Sequence, residues 1–161
     1  MATSLSPIST FPLQTSPCAV TFLQRMHALQ ARQREHTGSH KPSVLISGAG
    51  PAGLIRAILS LVKGHPTQVI EARPENADTR ENMVALAGNA IPLLMEYGIY
   101  QYLIEHNLTY PPCRQGNFTV RLKDLEAAMK EVIRHLSPKE IIAYDTTITG
   151  IPSRKKGGLV L

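Results

Sequence analysis

The stretch SVLISGAGPAGLIRAI, Ser43 to Ile58, constrains the fold more than any other part of the chain. A short apolar run rich in β-branched residues, Ser43–Ser47, reads as a buried strand. The glycines Gly48, Gly50 and Gly53 follow it at G-x-G-x-x-G spacing, and Pro51–Val62 then reads as a helix. In that context each glycine has a task. Gly48 permits the tight turn out of the strand, Gly50 lets a pyrophosphate approach the backbone, and Gly53 lets the helix pack closely on the sheet. Pro51 and Ala52 open the helix. Its first N–H groups and partial positive charge form an anion site, and the missing N–H of Pro51 has no intrahelical role to lose.

A second strand, Gln68–Glu71, ends in an acid 23 residues after Gly48. An acid about 20 residues beyond the first glycine is placed to hold the ribose hydroxyls of an adenosine. Its charge repels a 2′-phosphate, which disfavours NADP(H) at this site. Strand, turn, helix, strand and terminal acid together give a Rossmann-like βαβ unit and an α/β fold.

Beyond it, Asn89–Tyr97 and Ile99–Glu105 read as short helices. Leu122, Leu125, Met129, Val132, Ile133 and Leu136 recur at helical spacing, so Val120–Leu136 reads as an amphipathic helix. Ile141–Ile148 reads as a further strand, and Leu159–Leu161 as a last apolar run. Residues 1–42 read as a flexible N-terminal extension and 43–161 as a partial dinucleotide-binding domain. Within the extension, residues 18–36 are expected to form a short helix with Val20, Leu23, Met26 and Leu29 on one side.

The formal net charge of +5 lies wholly in the first 70 residues, which hold six Lys/Arg and one acid. With eight aromatics in all and no basic stripe interleaved with them, nucleic acid is not the expected partner. The positive charge suits an anionic cofactor or a tail. The N-terminal segment is Ser-rich, carries Arg and is poor in acids, as organelle transit peptides are; a bacterial or expression-derived extension fits equally. No apolar run reaches the ~18 to 20 residues that cross a membrane. The two cysteines, Cys18 and Cys113, form no CxxC pair, which suits a reducing, cytoplasmic compartment. His36 and His40 have helical metal-ligand spacing, but Gly38 intervenes and no third ligand is near, so no metal is expected.

Three segments together resemble the FAD-binding domain of flavin monooxygenases of the aromatic-hydroxylase type. GAGPAGL with Ala57 and then IEAR is similar to that family's opening. ADTRENMVAL supplies an Arg, Arg80, leading toward a helix, and FTVRLKDLEAAM resembles an R-x-x-L-E-x-x-L helix. RENMVAL and the segment after it also look like the monooxygenase domain of the MICAL actin oxidases. The resemblance covers roughly residues 43–150. It implies FAD as cofactor, with Glu71 on the adenosine ribose and Arg73 at the adenine end. Arg80 and Arg121 would reach toward the pyrophosphate and flavin side. It further implies NAD(P)H and oxygen as co-substrates, and a small-molecule or protein substrate that the sequence does not reveal. Such enzymes run to several hundred residues, and their later flavin-binding segments and substrate domain have no counterpart here. The sheet is therefore expected to be truncated. Two other readings stay open: a nucleotide-binding or interaction module without turnover, and an NAD-binding dehydrogenase fragment, against which the helical stretch 89–105 argues.

Overall fold

The computed structural model describes residues 20–36, 40–75, 77, 82–113 and 117–150. Arg80, the residues up to Pro17 and the run Leu159–Leu161 lie outside the described residues. Three parallel strands form the frame: β1 (Val44–Ser47), β2 (Thr67–Ile70) and β6 (Ile142–Ala143), in the order β1-β2-β6. Between β1 and β2 runs α2 (Pro51–Val62), with the bounds expected from the sequence. It packs beside α5 (Leu122–Leu136). The α5 stripe Leu125, Met129, Val132, Ile133 and Leu136 meets Leu54, Ala57, Ile58 and Leu61 of α2 in the core with Ile46 and Val69 of the sheet.

The route from β2 to β6 is not a simple crossover. A second, antiparallel sheet of order β3-β5-β4 lies within it, made of β3 (Met83–Leu86), β4 (Tyr110–Cys113) and β5 (Asn117–Arg121). Two short helices, α3 (Ile91–Glu96) and α4 (Ile99–Glu105), join β3 to β4. The sequence pattern hides this sheet. Its strands are four or five residues long, and Pro111 and Pro112 sit in β4, where the ladder register shifts. Proline cannot donate to a ladder, so it belongs on such an irregular edge. The expected helix at Val120 consequently begins two residues later: Val120 and Arg121 complete β5, and the Leu122 amide then donates to the Asn82 carbonyl at 2.8 Å. On α3, Leu94 is buried and Leu93 exposed.

Two strands also differ from expectation. β1 is covered on one face only: Ile46 is buried while Leu45 is 49% exposed. Both α2 and α5 lie on the Ile46 side. The last strand stops at Ala143 instead of running to Ile148, because Asp145 takes a left-handed conformation at φ 52°. Aspartate is one of the few side chains that tolerate it, and a residue there cannot continue a strand.

The segment expected as an N-terminal extension contains a packed helix, α1 (Phe22–Glu35). Thr21 and Gln24 start it with a reciprocal capping box. Its inward face is Phe22, Met26 and Leu29, all buried, whereas Val20 and Leu23 of the expected face are exposed. The helix turns by a residue to seat Phe22, whose ring meets Tyr102 and His135 edge-on with centroids 5.4 and 5.2 Å apart. The Phe22 amide donates to Glu105 Oε1 at 2.7 Å, and Gln30 and Gln33 side chains donate to the His135 and Leu136 carbonyls at 2.7 and 3.1 Å. Packing thus continues well before residue 42.

This packing gives a direct test. Met26 is fully buried and Leu23 is 57% exposed on the same helix. Met26→Ala is expected to lower stability by about 2–5 kcal/mol in urea titration, and Leu23→Ala by less than about 0.5 kcal/mol. Equal effects would mean that α1 is not docked through this face.

Candidate functional site

The turn after β1 is built as its glycines predict. Gly48 has φ +98°, a conformation that a side chain would strain, and its amide donates to the Ile70 carbonyl at 2.7 Å. That bond fixes the turn to the end of β2. A Cβ on Gly53 would lie 1.9 Å from the Gly48 carbonyl oxygen, so the first turn of α2 can sit against the strand exit only as glycine. A Cβ on Gly50 would meet nothing within 4 Å, which leaves the space in front of the turn open. Gly50 is the N-cap residue of α2 and Pro51 and Ala52 its first residues, and no side chain caps that end. The leading N–H groups of such a helix lack intrahelical partners and attract anions.

Glu71 follows β2 directly and its carboxylate closes the site. It is 7% exposed. Oε2 accepts from the Ala49 amide at 2.7 Å, so the glycine turn and the acid are in direct contact. Oε1 accepts from the Arg73 amide at 3.0 Å and from Arg73 Nε at 2.9 Å, and Arg73 Nη2 reaches Oε2 at 3.3 Å. The Arg73 side chain is the largest influence holding the Glu71 carboxyl at about 2 rather than 4.5; burial opposes it, and the two amides assist. Glu71 is thus fully ionised at neutral pH, an acceptor-only group suited to hydroxyls and hostile to phosphate.

The backbone of Glu71 is held as firmly as its side chain. Its amide donates to the Ala143 carbonyl at 2.8 Å, and its carbonyl accepts from Thr146 at 3.0 Å. The turn at Asp145 makes the second bond available by folding residues 144–146 back along the loop after β2. The sequence does not announce that contact.

The remaining candidates are dispersed or unplaced. Arg121 ends β5, opposite Met83, with its guanidinium 5.6 Å from the centre of the Tyr110 ring. That position is on the antiparallel sheet, apart from the contacts around Glu71. Arg80 lies outside the described residues. Glu126 stands near the start of α5. It is 6% exposed, lies past the first turn of α5, and burial pushes its carboxyl up. It lines a small cleft with Ala49, Glu71, Arg73, Lys130 and Tyr144. A larger cavity of about 320 Å³ continues from there along α5 to Tyr102 and Arg134. Among the described residues no three metal-ligating side chains come together, and no helix is long and apolar enough to cross a membrane.

Comparison with solved structures gives the fold a context. The chain is similar to the Diels-Alderase PyrE3 of pyrroindomycin biosynthesis, with 22% identity and a TM-score of 0.56 over 70% of this chain and 27% of that one. It is also similar to CtdE, solved in complex with FAD, with 18% identity and a TM-score of 0.55 over 68% of this chain and 31% of that one. No protein-family profile and no curated protein matches the sequence. The chain spans under a third of the length of either structure. The shared feature is the fold: a small Rossmann-like α/β unit with additional helices, of the kind present in a flavin complex.

Two predictions follow from the geometry around the turn. Gly53→Ala would stabilise an ordinary helix by about 1 kcal/mol. Here it is expected to destabilise, because the added carbon meets a backbone carbonyl. A raised melting temperature would contradict the contact. Glu71 holds its proton less tightly when folded. Its contribution is complete above pH 4.5 and is lost as the pH falls toward about 2. Denaturant midpoints of the wild type are expected to drop across that window more than those of Glu71→Gln, and parallel curves would refute the depressed value.

Proposed function

We propose that this chain binds FAD as the FAD-binding portion of a flavin-dependent monooxygenase or related oxidoreductase. The observation that carries the reading is the contact of the buried Glu71 carboxylate with the Ala49 amide. It joins an open, glycine-lined helix N-terminus to an ionised acid at the tip of the next strand. One face offers N–H groups to a diphosphate and the other offers oxygens to a ribose. A neighbour of the same fold, CtdE, was solved with FAD.

In this reading Gly48, Gly50, Ala52 and Gly53 shape the diphosphate seat and Pro51 presets the helix entry. Glu71 holds the ribose, with Arg73 beside it. Arg80 and Arg121 serve the flavin side, as the sequence resemblance implies. Bound flavin would supply redox chemistry linking NAD(P)H and oxygen to a substrate. The protein groups would bind and orient it, and the lowered pKa of Glu71 keeps the ribose acceptor charged throughout. A cofactor domain over 43–161 on which α1 of the preceding 1–42 segment docks, a cytoplasmic location and a small-molecule or protein substrate belong to the same proposal. The antiparallel β3-β5-β4 insertion in place of another βαβ repeat favours this over an NAD-binding dehydrogenase. A second reading, a nucleotide-binding module without redox turnover, draws on PyrE3, a neighbour of the same fold named as a Diels-Alderase.

The absorbance spectrum of the purified chain after incubation with FAD and desalting tests the proposal. A retained yellow band is expected, and Gly50→Trp, which fills the open space before the turn, or Glu71→Arg should abolish it. A folded wild type that emerges colourless would reject the flavin reading. ADP binding by that colourless protein would favour the module.

A further inference from the structure

A carboxylate offers four lone-pair positions on its two oxygens. In Glu71 all four are taken: two by backbone amides, Ala49 and Arg73, and two by Arg73 Nε and Nη2. A ribose diol therefore finds no vacant acceptor there. One or both of the Arg73 side-chain bonds must open, since the amides are fixed by the backbone. The Arg73 side chain is 52% exposed, and its Nη2 bond, at 3.3 Å, is the longest of the four. A guanidinium released from Glu71 can pair with a ligand phosphate or with a second protein carboxylate within reach.

The candidate acceptor is on α5. Glu126 is over nine-tenths buried, accepts no hydrogen bond among the described residues, and lines the cleft that also contains Glu71 and Arg73. Its charge acts on Arg73 and that of Arg73 acts on it. Lys130 is also close, but its ammonium sits 5.2 Å from the centre of the Tyr144 ring. The carboxylate oxygens of Glu126 are not among the fully enclosed atoms that lack a partner, so a donor entering the cleft can reach them.

Resting on the reading of this site as a seat for an adenosine diphosphate group, we propose that Glu126 is a positioning residue that receives the Arg73 guanidinium when a ribose diol engages Glu71. The exchange keeps both acids paired in turn. It also makes affinity depend on a residue on α5 that need not touch the nucleotide.

Calorimetric titration of the full chain with ADP and with 2′,3′-dideoxy-ADP, which lacks the diol, separates the possibilities. Glu126→Gln, nearly the same shape without the charge, is expected to weaken ADP binding by about tenfold, the loss of one charge-assisted hydrogen bond. Binding of the dideoxy compound should not change. In an Arg73→Gln background the same substitution should have no further effect on ADP. Equal weakening of both ligands would reduce Glu126 to a structural role and overturn the proposal. A diol-dependent loss that persists without Arg73 would make Glu126 a direct ligand contact, and that too overturns it. If Glu126→Gln fails to give the wild-type circular dichroism spectrum, Glu126→Asp, which keeps the charge but shortens the reach, answers the same question. Wild type that binds neither compound would instead reject the nucleotide reading itself.

Discussion

The Glu71 carboxylate is buried against the amide of Ala49, and much of the surrounding geometry is arranged to keep it there. The glycine turn is tied to β2 through Gly48 and Ile70, and β2 is tied to β6 through the amide and carbonyl of Glu71 itself. Three strand ends thus converge on one residue. Burying a charge is costly unless donors meet it on every side. Here four donors do so, and the residue stays ionised. The arrangement is rigid where backbone supplies the donors and adjustable where the Arg73 side chain does.

This division separates binding from selection. In the proposed reading the turn and the helix N-terminus attract a diphosphate, and Glu71 discriminates by offering oxygens to hydroxyls and repulsion to a further phosphate. The proposed exchange would add α5, distant in sequence, to that choice. Glu126 is 55 positions from Glu71 in the chain yet lines the same cleft.

The sequence revealed the parts of this site that depend on local rules. Glycine spacing, an apolar strand and the bounds of α2 follow from backbone sterics within some thirty residues. What stayed hidden depends on tertiary contacts. Strands of four or five residues carry too little alternation to stand out, and β4 holds the Pro111-Pro112 pair at an irregular edge. Asp145 cuts β6 short through one dihedral angle. Glu126 looks like any acid near a helix start until α5 is laid against the sheet. In α1, an i, i+3 count chose Val20 and Leu23, whereas docking against Tyr102 and His135 selected Phe22.

The side-chain amides of Gln30 and Gln33 bond to the last carbonyls of α5, across separations of 105 and 103 residues. Those carbonyls have no partner within their own helix. A helix near the start of the chain therefore finishes one near its end. During synthesis α1 leaves the ribosome before α2 and α4, which it also touches, and its docking surface is complete only when α5 follows. Contacts of such long range close slowly. Phe22, Met26 and Leu29 are therefore only partly covered until the last turn of α5 arrives.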